Sequence, residues 1–168
     1  METAVVRDVM SAPVVTIGID ETIARARDLF DEHRFHHLPV VQGGLVVGIL
    51  SDRDVLFALS PFVGKLAERR QDVATVEVHA HTIMTRNILT IGPEADLATA
   101  IRALLARGLS CLPVVDDQQR LVGIVSWRDL LGRYMRSEAE ASPFAATVPV
   151  PGRRRAAAVV RVVTGRGR

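Results

Sequence analysis

The sequence predicts an α/β protein made of two pseudo-symmetric β-α-β-β-α repeats packed as one module, with a flexible basic extension at the C-terminal end. Three observations predict it. The chain repeats itself at a spacing of about 74 residues, each copy alternates short apolar runs with amphipathic segments, and both patterns stop near residue 136. They predict repeat 1 over residues 1–60, a linker over 61–80, repeat 2 over 81–136 and a tail over 137–168.

The internal repeat carries most of this prediction. A shift of 74 residues aligns two segments, and a shift of 75 aligns a third. The matched pairs are Met10 with Met84, residues 38–41 (LPVV) with 112–115, and residues 48–54 (GILSDRD) with 123–129 (GIVSWRD). The one-residue change of spacing falls in a turn, where insertions are tolerated.

Each repeat is expected to open with an extended piece, at residues 14–17 and 88–91, followed by an amphipathic helix. The first helix is predicted to open near Asp20 as its N-cap, and the second to end at Gly108. Two strands around a turn then predict a hairpin, at residues 38–50 and 112–125. Their continuous apolar runs indicate strands covered on both faces, and a further helix follows each hairpin.

The linker and the tail differ in charge from the repeats. The charged stretch 68–72 in the linker predicts a solvated connection. Residues 1–136 hold 15 Arg and Lys against 17 Asp and Glu, whereas residues 137–168 hold 6 Arg and 2 Glu. The basic charge therefore belongs to the tail, which is predicted to be flexible.

Composition excludes several classes. A chain of 168 residues with 48% hydrophobic residues is long enough to bury a core. No apolar run approaches the roughly 18 residues of a membrane span, and residues 1–10 lack the order of a signal peptide, so a cytoplasmic protein is expected. The single cysteine, Cys111, offers neither an internal disulfide nor a zinc-type spacing.

The duplicated landmarks resemble a tandem pair of cystathionine β-synthase (CBS) domains. Each copy has Met-Ser or Met-Thr near its start, LPVV in its middle and GI[LV]SxRD at its end, and the likeness covers residues 8–135. The resemblance implies a regulatory module, not an enzyme, that binds AMP, ADP, ATP or S-adenosylmethionine in clefts between the repeats. It also implies a homodimer that acts on itself or on an unidentified protein target.

Ser51 and Ser126 each lie where a strand turns into a helix, and free N–H groups there suit a phosphate. The resemblance gives Asp54 and Asp129 the role of binding ribose hydroxyls. Ser-X-X-Asp is also a capping box, so a structural role stays open beside the binding role.

The resemblance implies further binding positions in both repeats. Arg53 and Arg128 are candidates for neutralising phosphate, and the residues preceding each LPV strand line the cleft in the family. Apolar positions at the start of each repeat match the adenine slot. The residues that precede the LPV strands are His36, His37, Ser110 and Cys111. The residues of the adenine slot are Val14, Val15, Thr16, Ile88, Leu89 and Thr90.

The two copies differ at one position of this motif. Asp52 places a negative charge beside the expected phosphate of repeat 1, where Trp127 places an uncharged ring in repeat 2. The two sites are therefore expected to be unequal, with the Ser126/Asp129 site binding a charged ligand more tightly.

Other functions stay open as alternatives. His79 and His81 would share one face of an extended strand, and with His36 and His37 they suggest a metal site; Cys111 suggests a nucleophile. The arginines of the tail suggest nucleic-acid binding, and a dimerisation scaffold with empty clefts is the remaining alternative.

Overall fold

The computed structural model describes residues 4–60, 63, 66 and 69–141. Contacts divide this part of the chain into two units. The repeat-1 unit holds residues 15–88, and the repeat-2 unit joins residues 4–14 to residues 89–141. The arginine-rich segment 153–168 and its predicted nucleic-acid contact lie outside the described residues.

The repeat-1 unit is built on a three-stranded sheet in the order β1-β2-β3. Its elements are β1 (Ile17–Gly18), α1 (Ile23–His33), β2 (His37–Gln42), β3 (Leu45–Ser51), α2 (Asp52–Ala58), α3 (Arg70–Val73) and α4 (Ala80–Ile83). β2 and β3 form the predicted antiparallel hairpin, and β1 runs parallel to β2. Gly43 and Gly44 make the hairpin turn with φ values of 59° and 85°, which favour glycine.

The repeat-2 unit has the same order of helix, hairpin and helix, but its sheet has two strands, and the piece equivalent to β1 makes a single parallel bridge between Ile91 and Val114. After a 3₁₀ turn at Val6–Asp8 come α5 (Leu97–Arg107), β4 (Cys111–Val115), β5 (Leu121–Ser126) and α6 (Trp127–Ala141). β4 and β5 form the second antiparallel hairpin, and every residue of β4 is buried, as its apolar run predicts. The α/β class and the duplicated unit are therefore confirmed.

Three predicted boundaries are corrected. The first helix begins at Ile23, because the Thr22 side chain caps it by accepting the Arg25 N–H, and not at Asp20. The extended piece predicted from residue 14 becomes a strand only at Ile17. The last helix continues to Ala141, beyond the predicted start of the tail, whereas α5 ends at the left-handed Gly108 as predicted.

The leading segment of the chain packs in the repeat-2 unit, although it opens repeat 1 in sequence. Val6 and Val9 are fully buried in the core of that unit. The backbone of Ser11 exchanges hydrogen bonds of 2.8 and 3.0 Å with Ile124 on β5. The predicted boundaries at 1–60 and 81–136 thus follow the sequence repeat, while the compact units divide the chain elsewhere.

The segment that opens repeat 2 packs in the repeat-1 unit in the equivalent way. Thr85 exchanges two hydrogen bonds of 3.0 Å with Ile49 on β3. Met84 is buried in the core of this unit, as Val6 and Val9 are in the other. Each unit is therefore completed by the segment that leads the opposite repeat.

The linker contains one buried carboxylate, Asp72, in a stretch (residues 69–74) whose other residues are exposed. The Asp72 side chain is 6% exposed and accepts hydrogen bonds from the Ser60 hydroxyl at 2.6 Å and from the Arg69 N–H at 2.8 Å. Thr75 also donates its hydroxyl to the Asp72 carbonyl at 2.6 Å. A charged residue is buried here because these donors replace water.

We expect Gly123→Ala to lower the free energy of unfolding by about 1–3 kcal/mol, since overpacking a filled core costs this much. A Cβ atom at Gly123 would overlap the Met10 sulfur, and all three of its nearest atoms belong to the Met10 side chain. Met10→Ala should therefore cost less in the Gly123→Ala background than alone. Chemical denaturation of the double-mutant cycle measures this coupling.

Gly48→Ala provides the matched comparison. Its Cβ would approach both the Met84 sulfur and the Thr85 carbonyl oxygen, the latter at 3.1 Å. The Thr85 carbonyl oxygen belongs to the backbone and cannot move aside as the Met84 side chain can. Met84→Ala should therefore restore only part of the free energy of unfolding that Gly48→Ala removes. Additive free energies in the Gly123/Met10 cycle would contradict the predicted overlap.

Candidate functional site

The Ser-X-X-Asp motif of repeat 1 lies where β3 turns into α2. The Asp54 Oδ2 atom accepts hydrogen bonds from the Ser51 backbone N–H at 2.8 Å and from its hydroxyl at 2.7 Å. The Ser51 Oγ atom accepts the Asp54 N–H at 3.1 Å. The two residues thus form a capping box, which was one of the two roles that the sequence left open. The described residues supply no hydrogen-bond donor to the Asp54 Oδ1 atom.

Repeat 2 has the same arrangement at the turn from β5 into α6. The Asp129 Oδ2 atom accepts hydrogen bonds from the Ser126 N–H at 2.9 Å and from the Ser126 hydroxyl at 2.7 Å. These distances agree with those of repeat 1 to within 0.1 Å. The sequence repeat is therefore also a repeat of side-chain geometry.

The hairpin register brings further predicted site residues to each turn. His37 on β2 pairs with Ser51, and Cys111 on β4 pairs with Ser126. His36 and Ser110 lie one residue earlier, and their carbonyl oxygens accept the first N–H group of α2 and α6, each at 3.2 Å. Each unit thus gathers its polar candidates around one strand-to-helix turn.

Asp52 distinguishes the repeat-1 turn. Its Oδ2 atom lies 2.6 Å from the His36 Nδ1 atom, and its Oδ1 atom accepts the Arg53 N–H at 2.8 Å. Partial burial opposes ionisation of Asp52, but these hydrogen bonds outweigh it and hold the pKa of the carboxyl below its ordinary value. Asp52 is therefore an anion at neutral pH, fixed at the start of α2.

Trp127 occupies the equivalent position in the repeat-2 turn. Its indole ring is 47% exposed, and the guanidinium carbon of Arg128 lies 5.5 Å from the ring centroid, a cation–π distance. The Arg128 N–H finds no acceptor among the described residues. This turn therefore lacks the second carboxylate that Asp52 supplies in repeat 1.

Burial changes the ionisation of the two residues that face the serines. Desolvation lowers the pKa of His37 despite the opposing attraction of Asp52, so its imidazole is neutral at pH 7. Burial, with a smaller contribution from Asp129, raises the pKa of the Cys111 thiol to about 12. The thiol is thus protonated at neutral pH, which makes it a poor nucleophile.

The residues predicted to form the adenine slot lie in irregular segments, outside the strands. Val14, Val15 and Thr16 precede β1, and Ile88, Leu89 and Thr90 follow α4. Five of the six are half-buried, and Leu89 is 38% exposed. The chain passes from one unit to the other within each triplet, between residues 14 and 15 and between residues 88 and 89.

The histidines proposed as metal ligands make other contacts. The His79 and His81 Nδ1 atoms lie 2.7 and 3.1 Å from the carbonyl oxygens of Asp20 and Ile19. His79 is the extended N-cap of α4 and forms a bridge with Thr22, whereas His81 lies within α4, so the two do not share one extended strand as predicted. Within the described ranges, no group of three or more His, Cys, Asp or Glu side chains could hold a metal ion.

The pairing of Asp52 with His36 was missed by sequence reasoning, although the signal was present. The two residues are 16 positions apart, but a hairpin that places His37 opposite Ser51 also places their neighbours together. The exposed Arg53 was predicted to face phosphate; its side chain lines an open groove of about 470 Å³ between α1 and α2.

The chain belongs to the CBS domain family. The family model matches residues 6–61 and 80–136, and these matches bracket both Ser-X-X-Asp turns. None of the helices in the described ranges is both long enough and apolar enough to cross a membrane.

Relatives and solved structures agree with this assignment. The CBS domain-containing protein YhcV of Bacillus subtilis is 30% identical over 137 residues, which are 82% of this chain and 90% of YhcV. The CBS domain pair of protein MJ0100, solved with 5′-methylthioadenosine and S-adenosyl-L-methionine, is 27% identical, with a TM-score of 0.67 over 81% of this chain and 99% of that one. The CBS domain of a membrane protein from Sphaerobacter thermophilus is 30% identical, with a TM-score of 0.67 over 77% and 87% of the two chains.

Some relatives are much longer enzymes. The chain matches 23% of the length of homoserine O-acetyltransferase from Methanococcoides burtonii, at 33% identity over 74% of this chain. It matches 28% of inosine-5′-monophosphate dehydrogenase from Korarchaeum cryptofilum, at 31% identity over 95% of this chain. The chain therefore spans about a quarter of the length of these two relatives.

Proposed function

We propose that this CBS domain pair is a regulatory module that binds an adenosine-containing ligand without converting it, and that changes its shape or assembly in response. The observation that carries the proposal is the duplicated Ser-X-X-Asp turn with matching geometry in both units. AMP, ADP, ATP and S-adenosylmethionine are the candidate ligands.

The chemistry of the turn supports this proposal. One oxygen of Asp54 is engaged by Ser51, and the other has no donor among the described residues. A carboxylate with a free oxygen accepts hydrogen bonds from vicinal hydroxyls, such as those of ribose. The MJ0100 domain pair, whose structure contains two adenosyl compounds, supports the choice of ligand class.

The same proposal includes a homodimer. Large apolar side chains are exposed on α2, where Leu56 is 71% and Phe57 81% exposed, and on α6, where Leu131 and Tyr134 exceed 50%. Apolar side chains that stand together on a surface mark a contact with another molecule. A second copy of the chain is the proposed occupant, and light scattering should give about twice 18.3 kDa.

Calorimetric titration with AMP, ADP, ATP, S-adenosylmethionine and a GTP control tests the binding proposal. We expect saturable, adenine-selective binding that weakens about tenfold or more at the altered site in Asp54→Ala and in Asp129→Ala, because each change removes a charged acceptor. Both variants also lose a helix cap, so a control with the same structural cost is needed.

Asp96→Ala is that control. Asp96 caps α5 by accepting the Thr99 N–H at 2.7 Å, and it is no part of either turn. Its loss should destabilise the protein without changing affinity. Absence of heat with every adenosyl ligand, from folded protein freed of bound nucleotide, would overturn the proposal and leave the dimerisation scaffold.

A further inference from the structure

Asp52 occupies one of the N–H groups that a ligand phosphate would need in the repeat-1 turn, and neighbouring residues occupy the other two. The Arg53 N–H donates to the Asp52 Oδ1 atom at 2.8 Å, and the Asp54 N–H donates to the Ser51 Oγ atom at 3.1 Å. The remaining N–H of this first helical turn, that of Asp52, donates to the His36 carbonyl at 3.2 Å. A phosphate would therefore have to displace protein acceptors in order to gain these hydrogen bonds.

The charges around the turn also oppose a phosphate. Asp52 and Asp54 contribute two carboxylates, and Arg53 contributes one cation whose side chain lines the groove between α1 and α2. The imidazole of His36 is engaged with Asp52 at 2.6 Å, and the buried His37 is neutral. The turn thus holds two carboxylates near Ser51, one more than Asp129 supplies in the repeat-2 turn.

The repeat-2 turn lacks the carboxylate that Asp52 supplies, although the N–H of Trp127 is engaged by the Ser110 carbonyl as that of Asp52 is by His36. Trp127 has no acceptor to offer the Arg128 N–H, which stays unpaired among the described residues. The Arg128 cation lies beside the Trp127 ring. Asp129 is the single carboxylate of this turn, so its charges balance.

We infer that Asp52 is a specificity-determining residue, which makes the repeat-1 turn select adenosyl ligands that carry no phosphate, either uncharged nucleosides or adenosyl sulfonium cations. This inference rests on the proposed function and assigns a different class of ligand to each turn. Phosphorylated ligands are left to the repeat-2 turn, whose geometry is otherwise the same.

The test compares adenosine with AMP, which differ only by the phosphate, in an Asp129→Ala background that weakens the repeat-2 site. Adenosine should bind about tenfold or more tightly than AMP. Adding Asp52→Asn should raise AMP affinity about fivefold or more and leave adenosine affinity within twofold, because one unit charge near a phosphate has an effect of this size even in water.

Asp31→Asn is the matched control, since Asp31 is an exposed carboxylate on α1 that lines the same groove and stands outside the turn. It removes the same charge from the unit and should change neither affinity. Equal affinities for AMP and adenosine in the Asp129→Ala protein, or an equal gain for AMP from Asp31→Asn, would overturn the selectivity while adenosine binding stands. Absence of adenosine binding would overturn both this inference and the proposed function.

Discussion

Replacing both Val6 and Val9 with alanine is expected to lower the free energy of unfolding by about 3–5 kcal/mol, the cost of emptying two fully buried sites. Both side chains are 0% exposed in the core of the repeat-2 unit, although they lie at the start of repeat 1 in the sequence. Trp127, the only tryptophan, belongs to this unit. Denaturant unfolding followed by Trp127 fluorescence should therefore show a lower midpoint.

Leu105→Ala is the control for this experiment. Leu105 lies on α5 of the same unit, but its side chain is 77% exposed, so its removal should cost less than about 0.5 kcal/mol. If the double variant unfolds at the same denaturant concentration as the Leu105→Ala protein, the leading segment does not belong to this core.

Asp72→Ala is expected to lower the free energy of unfolding at pH 7, because it removes the carboxylate that accepts hydrogen bonds from the Ser60 hydroxyl and the Arg69 N–H. Those two hydrogen bonds outweigh the effect of burial and lower the pKa of the Asp72 carboxyl. A lowered pKa in the folded state stabilises the protein above the unfolded pKa of about 4, and this stabilisation is lost as the pH falls through the folded value.

Chemical denaturation between pH 7 and pH 3 measures both effects. The difference in free energy of unfolding between wild type and Asp72→Ala should become smaller as the pH drops below about 4. Asp28→Ala, which removes an exposed carboxylate on α1, should stay within about 0.5 kcal/mol of wild type. A gap between wild type and Asp72→Ala that stays constant with pH would mean that the Asp72 charge contributes nothing.

Much of the fold could be predicted because its causes are local. The Gly43-Gly44 turn between apolar strands specifies a hairpin, and a run such as Leu112–Val115 specifies a buried strand. The exchange of leading segments could not be predicted. Met10 aligns with Met84 in the sequence whether each packs on its own repeat or on the other one. The sequence repeat therefore does not indicate which unit a leading segment packs in.

The site was predicted in part for a similar reason. The turns that hold Ser51 and Ser126 could be predicted from the motif. The contact between Asp52 and His36 could be predicted only from the register of the hairpin, which the sequence analysis did not use. The burial of Asp72 was missed because a charged stretch is ordinarily solvated. The donors that bury this carboxylate come from Ser60 and Arg69, and their spacing resembles no motif.

The exchanged segments have a consequence for synthesis on the ribosome. Residues 4–14 are made before the rest of the described chain, yet the strand that Ser11 pairs with, β5, is made near its end. Val6 and Val9 therefore emerge long before the core that buries them. By contrast, residues 15–88 include every described residue of the repeat-1 core. During synthesis the residues of the repeat-1 unit are thus available before β5 emerges, and Val6 and Val9 lack their core until then.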